Sequence, residues 1–388
     1  MNPLTRTFAV IAAVAAATII VTAQTGTDAR ARGQGTQAAK TIPRTSWGAP
    51  DLQGIWNTNT LVPLQRDAKY GNRALLTEEE HAKALAELQE RNQRPGRDSR
   101  TGTGTEKDVA RAYNEFWFGD KPTKLSYRTS MIVDPPNGRM PDYTPQAAKR
   151  IADKRDFLAA LLQGTSGGRP GPISPRRAEP SPDYNLDRIN RADGPEDRGG
   201  PERCFGDVPP VTMGTGTFGG VMQLVQSPDS VSIYYDIGQG QGFSWVIPIT
   251  NRPHLPKSVQ LYRGDAIGRW EGDTFVVDVT NFSDETNFRG ARENLHLIQR
   301  FRRLDANTLQ VEFTAEDPTT WARPWTAVQE LERADEKTTL VLEGGCHEGN
   351  YGLLGMLLNT RAAEKAFAEG KGPDPATQDN ATGGGGDN

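Results

Sequence analysis

Apolar and polar residues alternate in short runs through the second half of the chain, between about residues 204 and 357. Val231–Tyr235 and Thr274–Thr280 are two such runs, each followed by a polar turn. The others are Met222–Val225, Phe243–Ile249, Val259–Arg263, Ile267–Trp270, Leu295–Leu304, Leu309–Ala315, Trp325–Arg333 and Thr338–Glu343. Short strands at near-regular spacing predict an antiparallel barrel or sandwich.

The first half of the chain has a different pattern, with helical signals separated by loops. Thr77 and Glu80 form a capping box that predicts a helix running to about Arg94. Thr144 as N-cap and Pro145 at the first helical position predict a second helix. We therefore expect a β-rich α+β protein in which a loop-and-helix N-terminal region wraps the antiparallel C-terminal region.

These patterns divide the chain into seven segments. They are a signal peptide at 1–23, a flexible lead-in at 24–40, a loop/helix region at 41–163, a Gly/Pro-rich excursion at 164–203, an antiparallel β domain at 204–357, a terminal helix at 358–369 and a disordered tail at 370–388.

One hairpin allows a prediction of register. A three-residue loop at Asp305–Asn307, with Asn307 in the left-handed region, pairs residues whose numbers sum to 612. The resulting pairs are Phe301 with Val311, Arg300 with Glu312, Arg302 with Gln310 and His296 with Glu316. Polar residues then face polar residues, and apolar residues face apolar ones, which a two-residue loop would not achieve.

This register gives the hairpin two distinct faces. The polar face carries His296, Arg300, Arg302, Glu312 and Glu316, whereas Leu297, Phe301, Val311 and Phe313 lie on the apolar face. Two interpretations stay open. In the first, the polar face simply meets solvent. In the second, it lines a cleft or the interior of a barrel.

Composition narrows the class of protein. The chain has 388 residues, with 41 Gly and 27 Pro, which is typical of many turns and ordered loops. With a formal charge of −4, the chain lacks the excess of basic residues that is typical of a nucleic-acid-binding protein. Two cysteines are too few for a Cys₄ zinc or iron–sulfur site.

The N-terminus predicts export. Arg6 precedes an uncharged, mostly apolar run from Phe8 to Ala23, and small residues before Gln24 suit cleavage. The alternative is a membrane anchor, but the run is shorter than the ~20 residues that span a bilayer. We expect a mature protein in the periplasm or secreted, with no membrane span after signal removal.

Export changes the interpretation of Cys204 and Cys346, the two cysteines of the chain. Outside the cytoplasm a disulfide between them is favoured. The alternative is a pair of buried thiols.

Four histidines are present, and three of them fall in the strand-rich region. His296 opposite Glu316, and His347 beside Glu348, are candidate catalytic pairs because a histidine with a carboxylate partner is the usual arrangement for general acid–base chemistry. The predicted substrate-binding residues are Arg300, Trp321, His254 and Asp317. For the tryptophan-containing segments, packing in the core is the alternative to ligand contact.

No cofactor is predicted. His254, His296 and His347 have the right side chains for zinc, but they lack the close spacing of an H-E-x-x-H helix. A zinc site is therefore only a minor alternative.

Several segments together resemble a large family of exported bacterial proteins. These segments are Trp47–Asn57 (WGAPDLQGIWN), Arg128–Pro141 (RTSMIVDPPNGRMP), Gly264–Asn281, Asn287–Gly290, Asp317–Trp325 (DPTTWARPW) and Cys346–Gly352 (CHEGNYG). The resemblance implies export and one fold over about residues 45–365. It carries over no activity and no catalytic residue. The strand-rich half is also similar to a lipocalin in its meander, which is an analogy of fold alone.

The favoured function is an exported hydrolase or lyase that acts on a small organic or carbohydrate-derived molecule through His/carboxylate acid–base chemistry. The first alternative is a non-catalytic, lipocalin-like carrier, and the second is an envelope structural or interaction protein. The expected partner is a small-molecule ligand or substrate, with no nucleic acid. The sequence leaves the oligomeric state open.

Overall fold

A computed structural model describes residues 42–58, 61–93, 124–161, 195, 203–204, 220–236, 242–339, 341 and 350–373. The described chain is a β-rich α+β protein, as the hydrophobic pattern predicts. Its strands are β1 (Gly54–Asn57), β2 (Ile132–Asp134), β3 (Val221–Gln226), β4 (Ser230–Asp236), β5 (Phe243–Pro248), β6 (Asp265–Glu271), β7 (Thr274–Thr280), β8 (His296–Asp305), β9 (Thr308–Glu316) and β10 (Trp325–Arg333). Its α-helices are α1 (Glu78–Gln93), α2 (Pro145–Leu161) and α3 (Tyr351–Ala368).

Nine of the strands form an antiparallel sheet that curls into a nearly closed barrel. Their order is β5-β4-β3-β1-β10-β9-β8-β7-β6, and β2 pairs with β10 outside this path. The two end strands meet through a parallel bridge between Ile249 and Gly268, and the Thr250 amide donates to the Gly268 carbonyl at 3.2 Å. Closure of this kind removes most of the exposed sheet edge.

The N-terminal region also contributes a strand to the barrel. β1 lies between β3 and β10, with Trp56 paired to Met222 on one side and to Arg333 on the other. The barrel therefore extends beyond the antiparallel β domain predicted at 204–357 and includes a strand from the loop/helix region. Four residues are too few for an alternation pattern to reveal a strand.

The core lies on the inner face of the barrel. Alternate residues along each strand point inward, so apolar side chains such as Ile233, Val277, Phe301 and Val311 belong to one buried cluster. Trp56 joins this cluster from β1 with no exposed surface. This alternation is what the period-2 pattern predicts for a sheet with one buried face.

The β8–β9 hairpin has the predicted register. His296 pairs with Glu316, Arg300 with Glu312 and Phe301 with Val311. The predicted turn is wrong in detail, because Asp305 pairs with Thr308 and a register shift lies between Arg303 and Asp305. The numbers of Asp305 and Thr308 sum to 613, and one extra residue on β8 brings the pairs from Arg303 onward to the predicted sum of 612. A bulge beside a shorter turn therefore replaces the three-residue loop.

Other boundaries differ from the sequence-based ones. The predicted strand Val259–Arg263 is an irregular loop, whose start is held by the Asn281 side chain. This side chain donates to the Val259 carbonyl at 3.0 Å and also to the carbonyls of Leu255 and Pro256. The helix α3 begins at Tyr351, well before the predicted boundary at 358. Thr338 lies in a turn, and most of the predicted strand Thr338–Glu343 falls outside the described residues.

Both N-terminal helices begin where their caps predict. The Glu80 amide donates to the Thr77 hydroxyl at 3.1 Å, and the Thr77 amide donates back to the Glu80 carboxylate at 2.8 Å. The Ala147 amide donates to the Thr144 hydroxyl at 3.2 Å, which caps α2. Among the described residues, no helix combines the length and apolar character that a membrane span requires.

Candidate functional site

The predicted polar face of the β8–β9 hairpin lies on the outer side of the barrel. Its residues, among them His296, Arg300 and Glu312, are partly exposed, whereas Leu297 and Phe301 on the alternate positions are fully buried. Of the two interpretations, the structure therefore matches the one in which this face meets solvent rather than the barrel interior.

A buried carboxylate anchors the loop that crosses this outer face. Asp265, whose side chain is 5% exposed, accepts from the Arg252 guanidinium at 2.6 Å and 3.1 Å. It also accepts from the Leu255 amide at 3.0 Å and lies 3.0 Å from His254 Nδ1. Burial disfavours the charged form of Asp265, but these hydrogen bonds outweigh it and lower the pKa of the carboxyl to about 2.

Asp278 on β7 joins two of the predicted site histidines. Its Oδ1 atom lies 2.9 Å from His296 Nε2 and 3.3 Å from His254 Nε2. The second ring nitrogen of His296, Nδ1, lies 4.0 Å from Glu316 Oε2, which confirms that these cross-strand neighbours are close. We call Asp265, Asp278, His254, His296 and Glu316 the outer cluster.

Electrostatics couples Asp278 and His296. The hydrogen bond from His296 is the largest influence on Asp278 and lowers the pKa of its carboxyl, against an opposing effect of burial. The hydrogen bond to Asp278 likewise raises the pKa of His296, with a smaller contribution from the charge of Glu316. The pair is therefore stabilised in its ionised form.

The outer cluster has the residue types of an acid–base site, but most of its nitrogens already have partners. Both ring nitrogens of His254 face carboxylates, one on Asp265 and one on Asp278. The Nδ1 atom of His296 is the nitrogen with the most room, since its neighbour Glu316 is 4.0 Å away and exposed. Any proton transfer to a substrate would therefore use His296.

The remaining predicted catalytic residues, His347 and Glu348, lie outside the described residues, as does Cys346. The Sγ atom of Cys204 accepts from the Asn350 side-chain amide at 3.2 Å. Asn350 lies four residues after Cys346 and forms the N-cap of α3. The pairing of Cys204 with Cys346 stays a prediction.

The predicted substrate-binding residues do not gather at the outer cluster, apart from His254. Arg300 faces Glu312 at 3.7 Å on the same sheet face. Trp321 is 1% exposed and packs edge-on against Trp325 at 5.6 Å, so it lies in the core and away from the outer cluster. Asp317 is buried and accepts hydrogen bonds from Thr319 and Thr320 in its own loop.

A second candidate lies on the inner face of the barrel. Gln299 of β8 is fully buried, and within the described residues neither its Oε1 nor its Nε2 atom has a hydrogen-bond partner. It pairs with Phe313 of β9, and its neighbours on the same face of β8 are Leu297 and Phe301. A buried amide in apolar surroundings with no partner is rare in native proteins and calls for an explanation.

Gln299 is not alone in this respect. In the described part of the chain, three further nitrogens are buried without a hydrogen-bond partner. They are Nε2 of Gln329 and Nε1 of Trp321 and Trp325. Gln329 and Trp325 both lie on β10, two strands from Gln299, and Trp325 contacts Phe313 at 5.4 Å. We call Gln299, Gln329, Trp321 and Trp325 the inner polar set.

Arg303 shows that a polar side chain on the same face can be fully paired. Its guanidinium is 2% exposed and donates to the backbone carbonyls of Asp51, Asp305 and Ala306 at 2.7–3.1 Å. It also stacks over Trp56 at 5.4 Å. The contrast with Gln299, four positions away on the same strand, indicates that the unpaired amide is not a general property of this face.

A signal for Gln299 was present in the sequence. The predicted register places residues 297, 299, 301, 311 and 313 on one face, and four of these five are apolar. Gln299 therefore interrupts an otherwise apolar stripe. A single glutamine in such a stripe has no local pattern that distinguishes a ligand contact from a satisfied core amide, which explains the omission.

Metal binding at the outer cluster finds no support in the described residues, which contain no group of three or more ligand side chains arranged for an ion. The zinc alternative involved His347, which lies outside this part of the chain.

A polar cleft of about 360 Å³ lies beside the start of β1. Charged side chains line it, including Asp51 and the ion pair of Arg333 with Glu336 at 2.7 Å. Gly54 contributes to the wall with φ of 134°, and a side chain at this position would meet the Glu336 carboxylate at 3.3 Å. The cleft is separate from the outer cluster, with which it shares no lining residue.

Comparison with known proteins adds little to this geometry. No family model and no curated protein matches the chain. Among solved structures, a mutant of the fluorescent protein UnaG is similar over 35% of this chain and 86% of its own, with 12% sequence identity and a TM-score of 0.21. At this TM-score the two folds are only distantly alike, and the barrel is defined by its own strand pairing.

Proposed function

We propose that this protein binds a small, mainly apolar molecule inside its barrel and carries it without transforming it. The observation that carries the proposal is Gln299, a fully buried inner-face amide whose two polar atoms have no partner in the described part of the chain. Leaving such a group unpaired costs about 1–3 kcal/mol. A bound molecule that hydrogen-bonds to the amide would remove this cost.

The architecture supports the same proposal. Closed antiparallel barrels of about eight strands are just wide enough to hold side chains or one small ligand, and this barrel has nine. Its walls are apolar, with few polar groups to orient a ligand, which is the usual composition of a small-molecule site. The side-chain amides of Gln299 and Gln329 would be the polar groups that orient the ligand.

Native mass spectrometry of the full chain tests the proposal. The protein is purified from its expression host, and its mass is compared before and after extraction with organic solvent. We expect one organic molecule per chain in the wild type and a loss of occupancy in Gln299→Leu. Gln310→Leu is the matched control, because it makes the same chemical change on the outer face of β9. Equal occupancy in both variants would overturn the proposal.

A second candidate function rests on a different observation, the short contact between Asp278 and His296. In this alternative the exported protein is a hydrolase or lyase that uses His296 as its general acid or base. A screen of ester and glycoside substrates would detect turnover. His296→Gln should abolish it, and turnover that survives this substitution would exclude the mechanism.

We also propose that the protein acts outside the cytoplasm, in the periplasm or after secretion. The N-terminal apolar run supports this location. Expression of the full chain, followed by mass measurement of the protein in the extracytoplasmic fraction, tests it. We expect a mature chain that begins near Gln24, and an intact chain retained in the cytoplasm would contradict the proposal.

A further inference from the structure

The inner polar set consists mainly of hydrogen-bond donors. The unpaired atoms are the amide nitrogens of Gln299 and Gln329 and the indole nitrogens of Trp321 and Trp325. All four of these groups donate, and an indole N–H cannot accept. Within the described residues the inner polar set has a single unpaired acceptor, the Oε1 atom of Gln299. A ligand that satisfies these groups must present acceptors rather than donors.

The charges near the inner polar set restrict the class of ligand further. The inner polar set has no ionisable member, and the buried cation on the same strand, Arg303, already donates to three backbone carbonyls. An anionic group next to Gln299 would lose its hydration without gaining a free cation, which is strongly unfavourable. A protonated amine can only donate, and it would face four donors and one acceptor. Its binding would therefore be even less favourable than that of an anion.

From this imbalance of donors over acceptors we infer that the ligand is an apolar molecule bearing an uncharged carbonyl, as in a ketone, an ester or an amide. The inference rests on the proposed function, since it names the class of molecule that the barrel carries. A carbonyl oxygen has two lone pairs and can accept from more than one donor at once. Gln299 would supply one such donor, and one other member of the inner polar set would supply the second.

The ligand class predicts an order of affinity among probes with one carbon skeleton. We would compete 2-decanone against decane, decanoate and 2-decylamine for the full chain at equal concentrations, and read the bound species by native mass spectrometry. The ketone should bind about tenfold more tightly than each of the others, since a satisfied buried donor contributes on the order of 1.4 kcal/mol.

Variants separate the contribution of the amide from that of the apolar walls. In Gln299→Leu the preference for the ketone over decane should fall to about threefold or less, and Gln329→Leu should lower it by a smaller factor. Gln310→Leu should keep the wild-type preference. Circular dichroism of each variant checks that the barrel is folded, and the two glutamine variants provide independent tests if one of them fails to fold.

The outcomes distinguish the two levels of the argument. Ketone preference that depends on Gln299 supports the inference. Binding of all four probes with equal affinity would overturn the ligand class and leave a carrier of apolar molecules. Failure of every probe to bind would overturn the proposed function and the ligand class together.

Discussion

The two faces of β8 treat their polar side chains in opposite ways. On the outer face, His296 is only partly buried and yet contacts the carboxylates of Asp278 and Glu316. On the inner face, Gln299 is fully buried, and neither of its polar atoms has a partner among the residues that the structure describes. An exposed polar group can form its hydrogen bonds with water, whereas a buried polar group cannot.

This difference separates two kinds of polar cluster. A paired and partly exposed cluster stabilises the place where a loop meets the sheet, and Asp265 does this by holding residues Arg252–Leu255. An unpaired and buried cluster costs stability, so its presence points to a partner that arrives from outside. The predictions that follow test this contrast.

The largest effect is expected at Arg303, the inner-face cation that is fully paired. Arg303→Met removes a buried cation and the donor for three backbone carbonyls, so the free energy of unfolding should fall by roughly 3–5 kcal/mol. Urea denaturation measures this loss. Arg302→Met is the matched control, because Arg302 is exposed and should change stability by about 0.5 kcal/mol or less. Equal losses would show that the two faces do not differ.

A medium effect is expected at Asp278, the centre of the outer cluster. Asp278→Asn should lower the free energy of unfolding by about 1–2 kcal/mol at pH 5.5, less than for a fully buried pair because both side chains are about a third exposed. Chemical denaturation of both proteins at this pH measures the difference. No loss of stability would mean that the outer cluster does not hold the loop on the sheet.

The same variant should change the dependence of stability on pH. The pKa of His296 is raised in the folded protein, so its contribution is complete below the ordinary value of 6.5 and is lost as the pH rises through the folded value. The pKa of Asp278 is lowered, so its contribution is complete above 3.8 and is lost on further acidification. Wild type should lose more stability than Asp278→Asn between pH 5.5 and 8.5. Parallel curves over that range would contradict the coupling.

A small effect of unusual sign is expected at Gln299. Gln299→Leu replaces an unpaired buried amide by an apolar side chain of similar size, so in ligand-free protein stability should stay within about 1 kcal/mol of wild type or increase. Thermal unfolding after solvent extraction measures this. A loss of more than about 2 kcal/mol would indicate that the amide is hydrogen-bonded in the ligand-free barrel.

The smallest effect is expected for the exposed pair Arg300 and Glu312. Their charged atoms lie 3.7 Å apart and both side chains are about a third exposed. A double-mutant cycle with Arg300→Ala and Glu312→Ala should give a coupling energy of about 0.2–0.5 kcal/mol that disappears in high salt. A coupling above about 1.5 kcal/mol, resistant to salt, would place this pair in a less polar environment than the structure indicates.

Alternation and cross-strand matching predicted most of the barrel. The β8–β9 register followed from residue chemistry alone, because a slip of one position would put Arg300 opposite Phe313. β1 was not predictable, because its partners β3 and β10 are far away in sequence and four residues carry little periodic signal. The same limit applies to the loop at residues 259–263, whose shape depends on the distant side chain of Asn281.

The candidate sites divide in the same way. His296 and Glu316 were predictable as neighbours, since one hairpin determines their distance. The approach of His254 to Asp278 was not, because it depends on how a proline-containing loop folds over β7. Gln299 was visible as an interruption in an apolar stripe, but its lack of partners depends on every strand around it.

The most direct test of the account is the side-chain amide resonance of Gln299 in an NMR spectrum of the full, uniformly ¹⁵N-labelled chain. The pair of NH₂ signals that disappears in Gln299→Leu identifies it. The account predicts that these signals shift on saturation with 2-decanone, and that the signals of Gln310, assigned in the same way, do not. Saturable binding of the ketone that leaves the Gln299 amide signals unmoved would contradict the claim that this unpaired amide is the ligand contact.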